Sequence, residues 1–224
     1  MLRLSHVKKL YNKTEVFSDV DFTFETGRLY PVLGGLGSGR TTLLECICED
    51  MPIDGGQIRM DVNEDIGYAA KQSVLPLYVT GYEFIKFLCE LKKKLKEPDY
   101  YLERVAMSEE SMNKLICDYN FEEKKRLQLA AFLVQKPYVM LFDEPVDYCS
   151  QEFIDTFIDV LEEEKDRHII IVTTALLDIA THVADDILVL SNGEINEVTK
   201  EMLEITEIKH AILDILGEEE NDIL

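Results

Sequence analysis

Apolar and polar residues alternate through the first thirty positions, in LRLSHVKKLY and VFSDVDFTFETG, with breaks at YNKTE and Gly27. That period of two predicts strands with one covered face. RLYPVLGG reads as a short apolar strand running into glycines, and RTTLLECICE, with apolar residues at helical spacing, reads as the helix after it. GGQIRMD and EDIGYAA predict two further short strands. From about Tyr78 to Glu123 the chain is charged, helical in pattern and free of strand signals, as a helical insertion would be. The alternation then resumes with the helix KKRLQLAAFLVQ, the strand YVMLFDE, the helix QEFIDTFIDVLEEEKD, the strand HIIIVTT, another helix, and a closing hairpin DILVLSNGEI that turns at Asn192 and Gly193. This order predicts a single α/β domain over 1–224 with a helical subdomain at about 78–123. GEEENDIL, at 217–224, is expected to be a solvated, frayed tail.

A chain of 224 residues can bury a sizeable core. Its formal charge of -21, from 44 acidic against 23 basic residues, speaks against nucleic acid or an anionic lipid surface as partner. The five cysteines, Cys46, Cys48, Cys89, Cys117 and Cys149, form no metal-ligand spacing and fit free thiols in a reducing compartment. No signal-peptide core and no run near the roughly 20 apolar residues of a membrane span are visible. The expectation is a cytosolic protein whose contact with a membrane passes through a partner.

The stretch GGLGSGRTT changes the picture. Four glycines within six residues directly precede a helix, in the spacing G-x-x-x-x-G followed by a hydroxyl residue. Such a loop turns backbone N–H groups toward phosphate oxygens, and the helix behind it adds its positive end. Gly34, Gly37, Ser38 and Gly39 form the cradle, and Thr41, with Thr42 beside it, is placed to ligate magnesium through its hydroxyl. Arg40 stands where the motif calls for lysine. It keeps the positive charge but replaces a compact ammonium with a wide planar fork. About a hundred residues on, YVMLFDEP is an apolar strand ending in acids. There Asp143 is the candidate magnesium residue and Glu144 the candidate base that polarises an attacking water.

In the order of these motifs, from about Leu2 to Ile195, the chain resembles the nucleotide-binding domain of ABC transporters. The resemblance implies a mixed central sheet with an N-terminal antiparallel β-subdomain and a helical subdomain, and it implies ATP and Mg2+ as ligands. It assigns Tyr11 to stacking on adenine, Gly34 to Thr42 to the Walker A loop, and Gln72 in IGYAAKQ to the glutamine that senses magnesium and the membrane partner. Asp143 and Glu144 become Walker B and its following glutamate. A membrane-spanning permease subunit and a second nucleotide-binding domain follow as partners. The short helical region is similar to that of the drug-efflux and bacteriocin-immunity branch, which implies export.

Beyond Arg40, three places depart from the family. The L-S-G-G-Q signature, which in these proteins faces the partner's ATP, is replaced by Tyr119, Asn120, Phe121, Glu122 and Glu123. Phe121 and Glu122 obstruct close approach by bulk and charge. Asn120 with Glu123 three residues on predicts a capping box. A glutamate within about 5 Å of a phosphate charge would repel it by roughly 3 kcal/mol at an effective dielectric near 20, which weakens closure about a hundredfold. Ala175 occupies the switch-histidine position, and Asp147, Tyr148, Cys149 and Ser150 replace the D-loop S-A-L-D. His182, two helical turns on, is expected on an ordinary helix face, as are Lys92 to Lys94 and Lys124 to Arg126. Two readings follow: an ATP-binding subunit of an exporter with weak or partner-dependent hydrolysis, as homodimer or as heterodimer with an intact chain, or a degenerate ABC pseudoenzyme that regulates or scaffolds.

Overall fold

The computed structural model describes residues 1–61, 65–94, 96–184 and 186–217. The strand pairs predicted at the N-terminus form a three-stranded antiparallel sheet, in which β1 (Leu2–Tyr11) lies between β2 (Thr14–Phe24) and β4 (Gly55–Met60). Between them in sequence, β3 (Arg28–Leu33) enters the second sheet and leads through the glycine loop to α1 (Arg40–Ile47). The second sheet runs β5 (Ile66–Ala69), β6 (Val139–Asp143), β7 (Ile169–Thr174), β3, β8 (Asp186–Ser191), β9 (Glu194–Thr199). All its neighbours are parallel except the β8–β9 hairpin.

Both faces of this sheet are covered, which is why β6 and β7 read as unbroken apolar runs. Along β6, Met140 and Phe142 enter the core beneath the helical region, while Val139 and Leu141 enter the core shared with α1 and the antiparallel sheet. On β7, Ile170 and Val172 divide from Ile169 and Ile171 in the same way. The helical region consists of α2 (Gly81–Leu91), α3 (Pro98–Arg104), α4 (Glu109–Asn113) and a 3-10 turn at Ile116–Asp118, as the pattern over 78–123 predicts. Thr80 and Glu83 close the start of α2 with a capping box. Next comes α5 (Phe121–Gln135), which packs on α2 and α3. It is followed by α6 (Gln151–Glu164) and α7 (Leu177–Val183).

Lys125 and Arg126 are a correction. A solvated face was expected, yet both are buried. Lys125 Nζ donates to the carbonyls of Lys71 (2.8 Å) and Ala70 (3.3 Å), and Arg126 to that of Val105 (2.7 Å). Their long stems let charged heads reach otherwise unpaired carbonyls beneath the helix, which a count of charges cannot register. Beyond the hairpin the chain adds two helices that the prediction omits, α8 (Lys200–Leu203) and α9 (Thr206–Leu216). Ile212 and Leu213 of α9 pack on Leu33, Val189 and Val198. The predicted tail, beyond Gly217, lies outside the described residues.

Candidate functional site

The carboxyl ends of β3, β6 and β7 meet at one point, where open α/β sheets place their ligands. Asp143, the last residue of β6, pairs in register with Thr173 of β7, and Leu33, the last of β3, pairs with Thr174. The loop between β3 and α1 rises beside them. Gly39 has φ 98°, and a Cβ there would sit 2.6 Å from Val16 Cγ1, so both conformation and space require glycine. No side chain caps the start of α1, which leaves its amides facing the loop.

A cavity of about 320 Å³ opens here. Tyr11, Gly37, Ser38, Gly39, Arg40, Thr41 and Thr42 are among its lining residues, with Lys71 and Glu144. Ser38 Oγ is buried without a hydrogen-bond partner, a polar atom suited to an incoming phosphate oxygen. Gly34 stands behind it, where a Cβ would come within 2.6 Å of that oxygen. Tyr11 is half-exposed at the rim, and its hydroxyl donates to Met51 Sδ at 2.7 Å.

Asp143 is fully buried and accepts from Thr41 Oγ1 at 2.9 Å and from Thr173 Oγ1 at 2.7 Å. A hydroxyl and a carboxylate so close together are hard oxygen donors, so Thr41 and Asp143 fit Mg2+. Gln72 lies exposed on the segment after β5 and does not line the cavity. Its neighbour Lys71 does instead.

Glu144 is the hub of the site. Its φ of 44° is left-handed, a conformation that costs a non-glycine residue about 1 kcal/mol. Arg40 Nη2 donates to its Oε1 at 2.7 Å, and Lys71 Nζ pairs with its Oε2. Burial pushes this carboxyl up, but the bonds from Lys71 and Arg40 outweigh it and hold Glu144 below its ordinary value. Asp147, buried nearby, is shifted the other way by burial and by the Glu144 charge. Lys71 carries no motif of its own. Its position follows from β5 lying beside β6 and from α5, which holds the segment 70–73 through Lys125 and through Gln128, whose Oε1 accepts from Ser73 at 2.7 Å.

Residues 119–123 also take definite form. Asn120 and Glu123 make the predicted capping box at the start of α5. Glu123 is further engaged by Ser111 and Lys114, and Glu122 accepts from Arg126 and from the Ser150 amide at 2.8 Å. Burial works to raise both carboxyls, and these partners more than offset it, leaving both below their ordinary value. Tyr119 is a core residue whose hydroxyl donates to the Ser111 carbonyl at 2.5 Å. His182 sits on an exposed face of α7 and donates from Nδ1 to the Asp178 carbonyl, as expected of an ordinary helix position.

A glycine loop between a central strand and a helix, with an aspartate at the end of the next strand but one in the sheet, defines a P-loop nucleotide-binding domain. Residues 17–147 match the family model described as ABC transporter. The chain belongs to that family, as an ATP-binding subunit. It is 29% identical to the glutamine transport ATP-binding protein GlnQ of Geobacillus stearothermophilus over 88% of this chain and 89% of that protein. It is 28% identical to the tungstate uptake system ATP-binding protein TupC of Peptoclostridium acidaminophilum, over 88% and 97%. The dimeric structure of the bacterial ABC transporter cassette MJ0796 shares the fold at a TM-score of 0.77 and 20% identity, covering 89% of this chain and 98% of that one. No helix among the described residues is long and apolar enough to cross a membrane.

Proposed function

We propose that this chain couples ATP binding, with weak or partner-dependent hydrolysis, to a separate membrane-spanning subunit, to which it attaches at the inner face of the cell membrane. The observation that carries the reading is the Arg40–Glu144–Lys71 cluster facing the glycine loop, next to Thr41 on Asp143. The loop amides and Ser38 bind phosphate oxygens, Arg40 neutralises the terminal charge, and Tyr11 supports the base. Thr41 and Asp143 would hold Mg2+, which would supply neutralisation of phosphate charge when bound. Gln72 joins that metal on the strength of the resemblance alone. Glu144 accepts a proton from water, but only when its oxygens are free of Arg40 and Lys71, so turnover by the isolated chain is slow.

Export rests only on the likeness of the helical region to the drug-efflux and bacteriocin-immunity branch, and the relationship to an uptake system counts against it. The proposal is therefore coupling to a membrane subunit in either direction. The second domain of the working dimer is an ABC chain with an intact signature, because the start of α5 here is already closed by its own carboxylates. That same closed helix end favours, as the second reading, a pseudoenzyme that regulates or scaffolds. The two separate in ATP turnover, measured for the purified chain alone and then with an adjacent-frame membrane protein and second ABC chain. We expect near-background turnover alone and stimulation of about tenfold or more with the partners, abolished by Glu144→Gln. Unstimulated turnover that is indifferent to Glu144→Gln contradicts the motor and leaves the scaffold.

A further inference from the structure

We infer that Lys71 is a second phosphate-binding cation of this site and that a nucleotide's terminal phosphate binds by replacing Glu144 on Arg40 and Lys71. The inference rests on reading the cavity as a nucleotide site. Both carboxylate oxygens of Glu144 are taken, one by each cation, so the two heads converge on a single small anion inside the cavity. A terminal phosphate offers more negative charge than a carboxylate, and three oxygens in place of two. It is the better ligand for two cations held at that spacing.

The geometry gives Lys71 a task that Arg40 cannot perform. The guanidinium is a fixed planar fork, buried at the start of α1, with its second contact to the Gly35 carbonyl at 3.5 Å. Lys71 is a compact ammonium on a flexible stem and half-exposed, so it can follow an anion as it enters. Its backbone is nonetheless fixed. The Lys71 carbonyl accepts from buried Lys125, and Gln128 bonds both Ser73 and the Ala70 carbonyl. The lysine charge displaced from position 40 is thus restored from the end of β5. Replacement also frees the Glu144 carboxylate, which links phosphate arrival to the availability of the residue proposed to polarise water.

An ion pair that only holds the fold and a pair that exchanges with phosphate respond differently to neutralisation. In the first case losing either partner acts in the same direction on binding. In the second the signs are opposite: without Lys71 the phosphate loses a cation, whereas without the Glu144 charge it loses a competitor. The experiment is calorimetric titration of the full chain and its Lys71→Met, Lys71→Arg and Glu144→Gln variants with Mg·ATP and with Mg·ADP. We expect Lys71→Met to weaken ATP about tenfold and ADP less than about twofold, Lys71→Arg to recover most of the ATP loss, and Glu144→Gln to tighten ATP about fivefold. The ADP affinity reports whether each variant is folded. Equal loss for ATP and ADP in Lys71→Met, or a shift of the same sign in Lys71→Met and Glu144→Gln, overturns the inference while leaving the nucleotide site standing. Failure of the parent chain to bind either nucleotide overturns both.

Discussion

An Arg40→Ala chain is expected to bind ATP about a hundredfold more weakly than the parent, the largest single loss available at this site. Arg40 is only 6% exposed, and its guanidinium lies 2.7 Å from Glu144 in a pocket walled by the glycine loop. A unit charge about 4 Å from a phosphate charge is worth roughly 4 kcal/mol at an effective dielectric of 20. Part of that loss returns through Lys71, which remains beside the phosphate, so about 2.7 kcal/mol, or a hundredfold, is left. The variant should also lose about 2 kcal/mol of stability in urea, less than the usual cost of breaking a buried pair because Glu144 keeps its second partner. Arg40→Lys places the ammonium of the ordinary motif there and should bind within about tenfold of the parent. Parent-like affinity in Arg40→Ala would place the phosphates elsewhere.

The second large effect concerns the start of α5, the surface we propose faces a partner's nucleotide. Writing L-S-G-G-Q across 119–123 would damage the fold before testing it. Tyr119 is buried, and Gly81 packs so closely that a Cβ on it would lie 2.1 Å from the Tyr119 hydroxyl. Truncating such a side chain costs about 3 kcal/mol, and Gln at 123 keeps the capping box but gives up the Lys114 ion pair, up to about 1 kcal/mol more. The informative variant is Asn120→Ser, Phe121→Gly and Glu122→Gly together, because serine caps as well as asparagine and S-x-x-E keeps the capping box with Glu123. Two glycines in the first turn and the loss of the Glu122 bonds to Arg126 and Ser150 should cost about 2 kcal/mol. In exchange, removal of about 3 kcal/mol of repulsion should tighten Mg·ATP-dependent dimerisation about a hundredfold, measured by sedimentation. A dimer no tighter than the parent's would mean that this helix end does not limit closure.

Most of the fold and the loop were legible because their signals are local. The period of two in β1 and β2, the glycines at 34–39 and the acids ending β6 each lie within a dozen consecutive residues. The capping box at Asn120 and Glu123 was readable for the same reason. What escaped depends on contacts distant in sequence. Lys71 acquires its role only when β5 pairs with β6 and α5 holds the segment behind it, and the burial of Lys125 and Arg126 follows from carbonyls 20 to 55 residues away. The C-terminal helix α9 was different: Ile208, Ile212 and Ile215 have helical spacing in plain sight. That segment lay beyond the stretch in which the family motifs fall. The motifs also hid the state of Glu144, since no pattern discloses that a carboxylate assigned to water is bound on both oxygens by cations from the start of α1 and from the segment after β5.

The central claim is that the loop at 34–42 and Asp143 together form a magnesium-dependent nucleotide site despite Arg40. Calorimetric titration of the full chain with ATP, in the presence of Mg2+ and then of EDTA, addresses it directly, with Asp143→Asn titrated alongside. The account predicts a single saturable site whose affinity falls about tenfold or more on chelation and by a similar factor in Asp143→Asn. No binding at millimolar ATP, or binding indifferent to both magnesium and Asp143, would contradict it.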